Sequence, residues 1–154
     1  METTTVTIEN LNDLIQIHND RTVGYERALK DLKDEDTELR SVFTNMVNES
    51  HQFKMELATE VAALGGEIET GTTLSGKIHR AWMSMIDSFS SKTAKSVLEN
   101  CEFGEDATLK AYESALNDES LPSYVREIVS RQQTVMQAAH DKIKALRDAE
   151  KQQS

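Results

Sequence analysis

The stretch GEDATLKAY, residues 104–112, decides how the rest of the chain is interpreted. Its composition favours a helix, and a count of about 100° per residue from Val97 places Cys101 and Tyr112 on one inward face. Glu105 falls on that same face. An isolated ionised carboxylate in an apolar interior is very costly, so this side chain must be hydrogen-bonded, protonated, paired with a cation or bound to a metal ion. That requirement is the strongest functional lead in the sequence.

Length and composition predict one all-α domain. The chain has 154 residues, which is enough to bury a core without disulfide or metal staples. It contains one proline and six glycines, and alanine, leucine, glutamate and lysine are abundant, as is typical of helical proteins. We therefore expect a single helical-bundle domain over residues 1–154, with frayed tails at 1–6 and 151–154.

The charge balance excludes several classes of partner. The net charge is -10, from 27 acidic and 17 basic residues, and it repels phosphate backbones and anionic lipid surfaces. No apolar run approaches membrane-spanning length, and the N-terminus carries no apolar signal segment. The single cysteine, Cys101, cannot form an internal disulfide. We expect a cytoplasmic protein that binds neither nucleic acid nor membranes.

Apolar residues repeat with the helical period in four long stretches and one shorter one. The first helix is expected from an N-cap at Thr7 to about Lys33, followed by a tight acidic turn at 34–36. The second stops at the glycine pair 65–66, a strong C-terminal signal. After a loop, a shorter helix is expected over about 74–89, then a break near 90–93. The next helix ends near 117–118, and the last begins around 120–122.

This order of helices predicts a fold. Two pairs of long helices joined by short turns make two hairpins. The shorter helix, roughly 15 residues and roughly 22 Å long, can carry the chain along the bundle from one hairpin to the other. The sequence therefore predicts a ferritin-like four-helix bundle with an additional short crossover helix between the second and third bundle helices.

Polar residues on the inward faces are expected to meet in one layer near the middle of the bundle. Aligning the helices by distance from their turns puts Glu49 at the level of Glu105. The first interpretation is a hydrogen-bond network around Glu105 that fixes helix register without any ligand. Its other members are His18, Tyr25, Tyr112 and Gln132.

The second interpretation is a metal site. Bundles that hold two irons or two manganese ions supply a Glu from each of two helices and a Glu-x-x-His pair from each of the other two. In this chain Gln52 stands in one histidine position, and Gln137 in one carboxylate position. The candidate ligands that remain are Glu26, Glu49, Glu105 and His140.

Several segments together resemble a known family. They are residues 11–14 (LNDL), 24–25 (GY), 64–66 (LGG), 75–82 (SGKIHRAW), 101–106 (CEFGED) and 139–148. They resemble a bacterial family of unknown function that is classed with the ferritin-like four-helix bundles. The resemblance implies the bundle fold, a cytoplasmic protein and a stress-associated role, with no established reaction. Relatives in the wider ferritin-like group bind two irons and handle oxygen or peroxide.

No phosphate-cradling glycine loop, nucleophile elbow or paired CxxC motif is present, so hydrolase, kinase and dehydrogenase functions lack support. We therefore expect a non-catalytic, stress-associated structural or interaction protein without a cofactor or catalytic residue. We expect it to form a homodimer and to act on an unidentified protein partner. The alternative is a carboxylate-bridged iron or manganese oxidoreductase.

Overall fold

The computed structural model describes residues 2–32, 36–71, 79–82 and 93–153. Four long helices account for most of them: α1 (Glu2–Asp31), α2 (Thr37–Ala63), α3 (Ala94–Leu116) and α4 (Ser123–Gln153). Residues 79–82, between α2 and α3, are also helical. They belong to the predicted crossover helix, whose other residues lie outside the described ranges, as do residues 34 and 35 of the predicted acidic turn. None of the described helices is long and apolar enough to cross a membrane.

The two hairpins predicted from the sequence form the bundle. α1 packs along α2 and α3 packs along α4, while α1 also contacts α3 and α2 contacts α4.

The chain that leaves α2 then runs beside α1 and is held there by two asparagines. Asn12 donates to the carbonyl of Glu67 at 2.8 Å and accepts from the amide of Glu69 at 3.1 Å. Asn19, two turns further on, donates to the carbonyl of Gly71 at 2.8 Å.

Helix α1 begins earlier than predicted. It starts at Glu2, so residues 2–6 are helical rather than frayed, and Thr7 lies inside the helix with its side chain fully buried. Ile8 packs against the first core cluster and lies beside Gly66, and with the buried Thr7 it holds this end of α1 against the bundle. Tertiary packing of this kind outweighs a local capping signal. The backbone of residues 151–153 likewise continues α4.

The ends of α2 and α3 follow local signals. Gly65 has a φ of 83°, which suits glycine, and the amides of Gly65 and Gly66 bond back to the carbonyls of Ala62 and Val61 at 3.0 and 2.9 Å. This Schellman arrangement satisfies carbonyls at the helix end. Helix α3 begins with a capping box between Thr93 and Ser96.

Two apolar clusters fill the bundle, one on each side of a buried polar layer. The fully buried polar residues of that layer come from all four helices. They are His18 and Arg21 from α1, Ser50 from α2, Glu105 and Thr108 from α3, and Gln132 from α4.

Trp82 anchors the helical segment 79–82 to α3. Its ring is fully buried and its indole N–H donates to the hydroxyl of Thr108 at 3.1 Å. A Cβ added at Gly104 would lie 2.6 to 2.7 Å from the indole ring atoms. Gly104 is therefore required so that the ring can lie directly on the α3 backbone.

We predict that Gly104→Ala destabilises the protein by roughly 1–3 kcal/mol, although alanine favours helix, because a rigid buried indole must move. Chemical denaturation measures the free energy of unfolding. Trp82 is the only tryptophan, so its fluorescence reports the displacement directly. Gly71→Ala is the control, because its Cβ would meet nothing within 4 Å. Unchanged stability and fluorescence in Gly104→Ala would contradict the prediction.

Candidate functional site

The centre of the polar layer is a buried guanidinium. Arg21 is completely inaccessible to solvent and reaches carboxylates from two other helices. Its Nε donates to Oε1 of Glu105 at 2.6 Å, and its Nη2 lies 3.4 Å from Oε2 of the same carboxylate. The same Nη2 donates to Oε1 of Glu49 at 3.0 Å. Of the four ways to satisfy a buried Glu105, the protein uses two: pairing with a cation, Arg21, and hydrogen bonding from Arg21 and Tyr25.

The groups around this ion pair shift one another's pKa values. Burial by itself lowers the pKa of Arg21, but the Glu105 carboxylate raises it above its ordinary value, so Arg21 stays cationic. Burial, together with Glu105, raises the pKa of Tyr25 well above its usual range. The Tyr25 hydroxyl therefore keeps its proton and donates to Oε1 of Glu105 at 3.0 Å. Burial also raises the pKa of Glu49, and Arg21 opposes that shift.

A chain of hydrogen bonds leads from Arg21 across the bundle. Nη1 of Arg21 donates to the hydroxyl of Ser50 at 2.8 Å, and that hydroxyl lies 3.1 Å from Nδ1 of His18. Nε2 of His18 lies 2.5 Å from the hydroxyl of Tyr112. Tyr112 then donates to Oε1 of Gln132 at 2.7 Å. The chain thus passes from α1 through α2 and α3 to α4.

The neutral state of His18 and the far end of the chain set the direction of these bonds. Burial, followed by the positive charge of Arg21, lowers the pKa of His18, so its imidazole is neutral. At the far end the amide nitrogen of Gln132 donates to Glu56 at 2.8 Å, which leaves the amide oxygen to accept from Tyr112. The Tyr112 oxygen therefore accepts from Nε2 of His18, which carries the hydrogen. Nδ1 is then unprotonated and accepts from the hydroxyl of Ser50, whose oxygen accepts from Arg21.

The predicted metal ligands do not converge. Glu49 and Glu105 do meet, but through Arg21, which donates to both. Glu26 is exposed, beside a shallow groove on α1 that it lines with Val23, Arg27 and Lys30. Neither Glu26 nor His140 belongs to the network of the polar layer.

His140 lies at the outer surface between α3 and α4. Its Nε2 is 2.6 Å from Oδ1 of Asp106 and its Nδ1 is 3.2 Å from Oδ1 of Asp141. Glu102 is the other nearby carboxylate, and it also pairs with Arg147. Glu105 and Asp106, adjacent in sequence, therefore face the core and the surface respectively.

The donor set of the mid-bundle layer does not fit a pair of divalent ions. A guanidinium is hydrogen-bonded to both inward carboxylates, and a metal ion there would have to displace a positive charge from its counter-ions. Both ring nitrogens of His18 already bond to protein groups. Gln52 and Gln137, the amides in the two incomplete Glu-x-x-His spacings, are exposed.

The sequence interpretation missed Arg21, the residue on which the layer depends. From the first helix it took only His18 and Tyr25 into the polar layer, whereas Arg21 is also fully buried there. A signal was available, since Arg21 follows His18 by three residues and precedes Tyr25 by four, the two spacings that share a helix face.

We predict that Arg21→Met lowers the free energy of unfolding by about 3–5 kcal/mol, because it leaves the Glu105 carboxylate buried without a cation. Adding Glu105→Gln should restore most of that loss, because the pair is then neutral. Denaturant unfolding of the wild type, both single variants and the double variant measures the coupling as a double-mutant cycle.

The control for this cycle is Arg131→Met, the same substitution at an exposed ion pair with Glu56, where we expect a loss below about 1 kcal/mol. A harmless Arg21→Met, or a double variant no more stable than Arg21→Met, would show that the charge pair does not hold the layer.

We predict that stability falls as the pH drops below about 6.5, the ordinary pKa of histidine. Burial, with the positive charges of Arg21 and Lys54, holds the pKa of His18 well below that value in the folded protein. The unfolded chain therefore binds a proton that the folded chain does not bind. The free energy of unfolding then falls by up to about 1.4 kcal/mol for each pH unit. Proton NMR should find His18 still neutral at pH 5.

His18→Gln checks the assignment, because the slope of unfolding free energy between pH 7 and 5 should become flatter in this variant. The raised pKa of Glu49 acts in the opposite direction, but Glu49 is present in both proteins. The difference between the slopes of the wild type and of His18→Gln therefore removes its contribution. An unchanged slope would assign the pH dependence to other groups.

Comparisons with known proteins agree with this fold. A mutant of Mycobacterium smegmatis Dps1 matches with a TM-score of 0.80 and 12% identity, over 95% of this chain and 97% of that one. A structure titled as ferritin-like, diiron-carboxylate proteins from Bacillus anthracis strain Ames matches with a TM-score of 0.69 and 16% identity, over 95% of this chain and 96% of that one. The predicted ferritin-like bundle is therefore confirmed.

At the level of sequence, comparison with curated proteins gives no significant match. Residues 6–118 do match the family model described as "Domain of unknown function (DUF2383)". This match covers most of the chain, from α1 to the turn after α3, and it confirms the expected membership in a family of unknown function. The chain belongs to the DUF2383 family.

Proposed function

We propose that this protein is a non-catalytic, stress-associated ferritin-like bundle that acts as a structural or interaction protein. The observation that carries the proposal is Arg21, a permanent internal cation bound to Glu105 and Glu49. The stress association comes from the family resemblance, as does the expectation of a cytoplasmic location. A homodimer and an unidentified protein partner are part of the same proposal.

An arginine at this position gives the layer different properties from those of a metal pair. Its guanidinium neutralises carboxylates and fixes their geometry through directional N–H bonds. It has no accessible redox state and no open coordination position for dioxygen or peroxide. The layer is therefore suited to holding four helices in register rather than to activating a small molecule.

The other reactive side chains near the layer are also kept inactive. Burial, together with the Glu105 carboxylate, raises the pKa of Cys101 well above its usual range, so its thiol stays protonated and is a poor nucleophile. Burial raises the pKa of Tyr112 as well, and its hydroxyl is already engaged with His18 and Gln132. These groups act as hydrogen-bond partners and packing elements.

The alternative is a carboxylate-bridged iron or manganese protein that uses Glu26, Glu49, Glu105 and His140 to handle oxygen or peroxide. It is favoured by the likeness to a structure whose title names diiron-carboxylate proteins. The exposed position of Glu26 and the occupation of Glu105 by Arg21 weigh against it. Fold likeness at this level of identity does not transfer a reaction.

We predict that protein purified without chelator or affinity tag binds no iron that depends on Glu105 and gives no oxygen-dependent absorbance change. Metal analysis followed by anaerobic titration with ferrous iron, and then by exposure to oxygen, measures both properties. The test compares the wild type with Glu105→Ala and with the charge-neutral double variant Arg21→Met/Glu105→Gln, which protects against a variant that fails to fold.

Near two irons per chain, lost in either variant and followed by an oxygen-dependent absorbance change, would overturn the proposal. Metal binding that is indifferent to both variants lies outside the polar layer and supports it. Size-exclusion chromatography with light scattering tests the homodimer separately, where a monomer at micromolar concentration would contradict that part.

A further inference from the structure

We propose that Glu102, Asp106 and His140 form a surface site for one divalent transition-metal ion of the zinc type, which links α3 to α4. The site is separate from the polar layer and does not depend on the proposed function. The two carboxylates stand four residues apart on α3, one helical turn, and the imidazole faces them from α4. One ligand atom from each residue lies within 4.8 Å of the others.

The histidine is held in the orientation that a ligand needs. Oδ1 of Asp141, 3.2 Å from Nδ1 of His140, can only accept, so Nδ1 carries a hydrogen. Metal-binding histidines commonly donate their second ring N–H to a carboxylate in this way, which fixes the tautomer. Asp141 is itself fixed by the amide of Gln137, which donates to it at 3.0 Å.

The other ring nitrogen then requires a positive charge beside it. Nε2 of His140 lies 2.6 Å from Oδ1 of Asp106. In the neutral tautomer with hydrogen on Nδ1, both of these atoms are acceptors, and they repel unless a proton or a metal ion lies between them. A proton satisfies this pair of atoms alone, whereas a metal ion would also engage Glu102, the third ligand atom of the cluster.

The surroundings leave room for a cation and select its class. Arg147 donates to Glu102, and since a carboxylate has two oxygens, one can accept from Arg147 while the other faces the ion. The side chains of Glu102 and His140 are each 14% exposed and that of Asp106 is 50% exposed, so an ion can enter from solvent and keep water ligands. One imidazole nitrogen with two carboxylates suits zinc and similar ions better than magnesium or calcium.

Isothermal titration of the metal-free protein with Zn²⁺, in excess Mg²⁺, tests the site. We expect one Zn²⁺ per chain in the wild type, and an affinity at least about tenfold weaker in His140→Ala and in Asp106→Asn. His51→Ala is the matched control, because this histidine is exposed on α2, in the other hairpin, and should leave the affinity unchanged. Zn²⁺ should also raise the melting temperature of the wild type but not of His140→Ala.

Circular dichroism confirms that the variants fold, which is expected for surface substitutions. No saturable Zn²⁺ binding in the wild type, or equal binding in His140→Ala, would overturn the site. So would a loss of binding in His51→Ala. The alternative function requires both Glu105 and His140, whereas this site requires His140 but not Glu105. Zn²⁺ binding that survives Glu105→Ala and is lost in His140→Ala supports this site, whereas iron binding that is lost in Glu105→Ala overturns the proposed function, so the two failures give different patterns across the variants.

Discussion

The buried contact between Arg21 and Glu105 is the constraint on which the middle of the bundle depends. A guanidinium and a carboxylate without access to water are tolerated only when each has its partners in good geometry. Arg21 meets this condition by bonding to Glu105 on α3 and to Glu49 and Ser50 on α2. Any sliding of one helix by a turn would separate these groups. We interpret the layer as a register device that selects one packing of the helices rather than as a source of net stability.

The chain of hydrogen bonds that leads from Arg21 across the bundle extends this constraint to α4. The bonds from Ser50 through His18 and Tyr112 to Gln132 have one consistent direction, because His18 is neutral and the carboxylate of Glu56 ends the chain. Protonation of His18 would place a second positive charge beside Arg21 inside the bundle. The same contacts that fix register therefore make the fold sensitive to acid.

The ferritin-like fold is compatible with more than one kind of polar centre. The bundle interior needs positive charge wherever it buries carboxylates, and either metal ions or an arginine can supply it. This chain uses an arginine for Glu105. It also has a cluster of metal-ligand type at the surface, and this cluster includes the next residue, Asp106. A helix turns by about 100° per residue, so two adjacent acids can serve these separate environments.

The sequence alone determined the helical composition, the two hairpins, the stop at Gly65 and the need of Glu105 for a partner, because these depend on local periodicity and on the cost of burying charge. It did not determine the partner itself or the start of α1 at Glu2. Those depended on which side chains of other helices reach the same point in space: Arg21 became the partner because α1 lies against both α2 and α3. Spacing along one helix defines a face, and only the assembled bundle decides what that face meets.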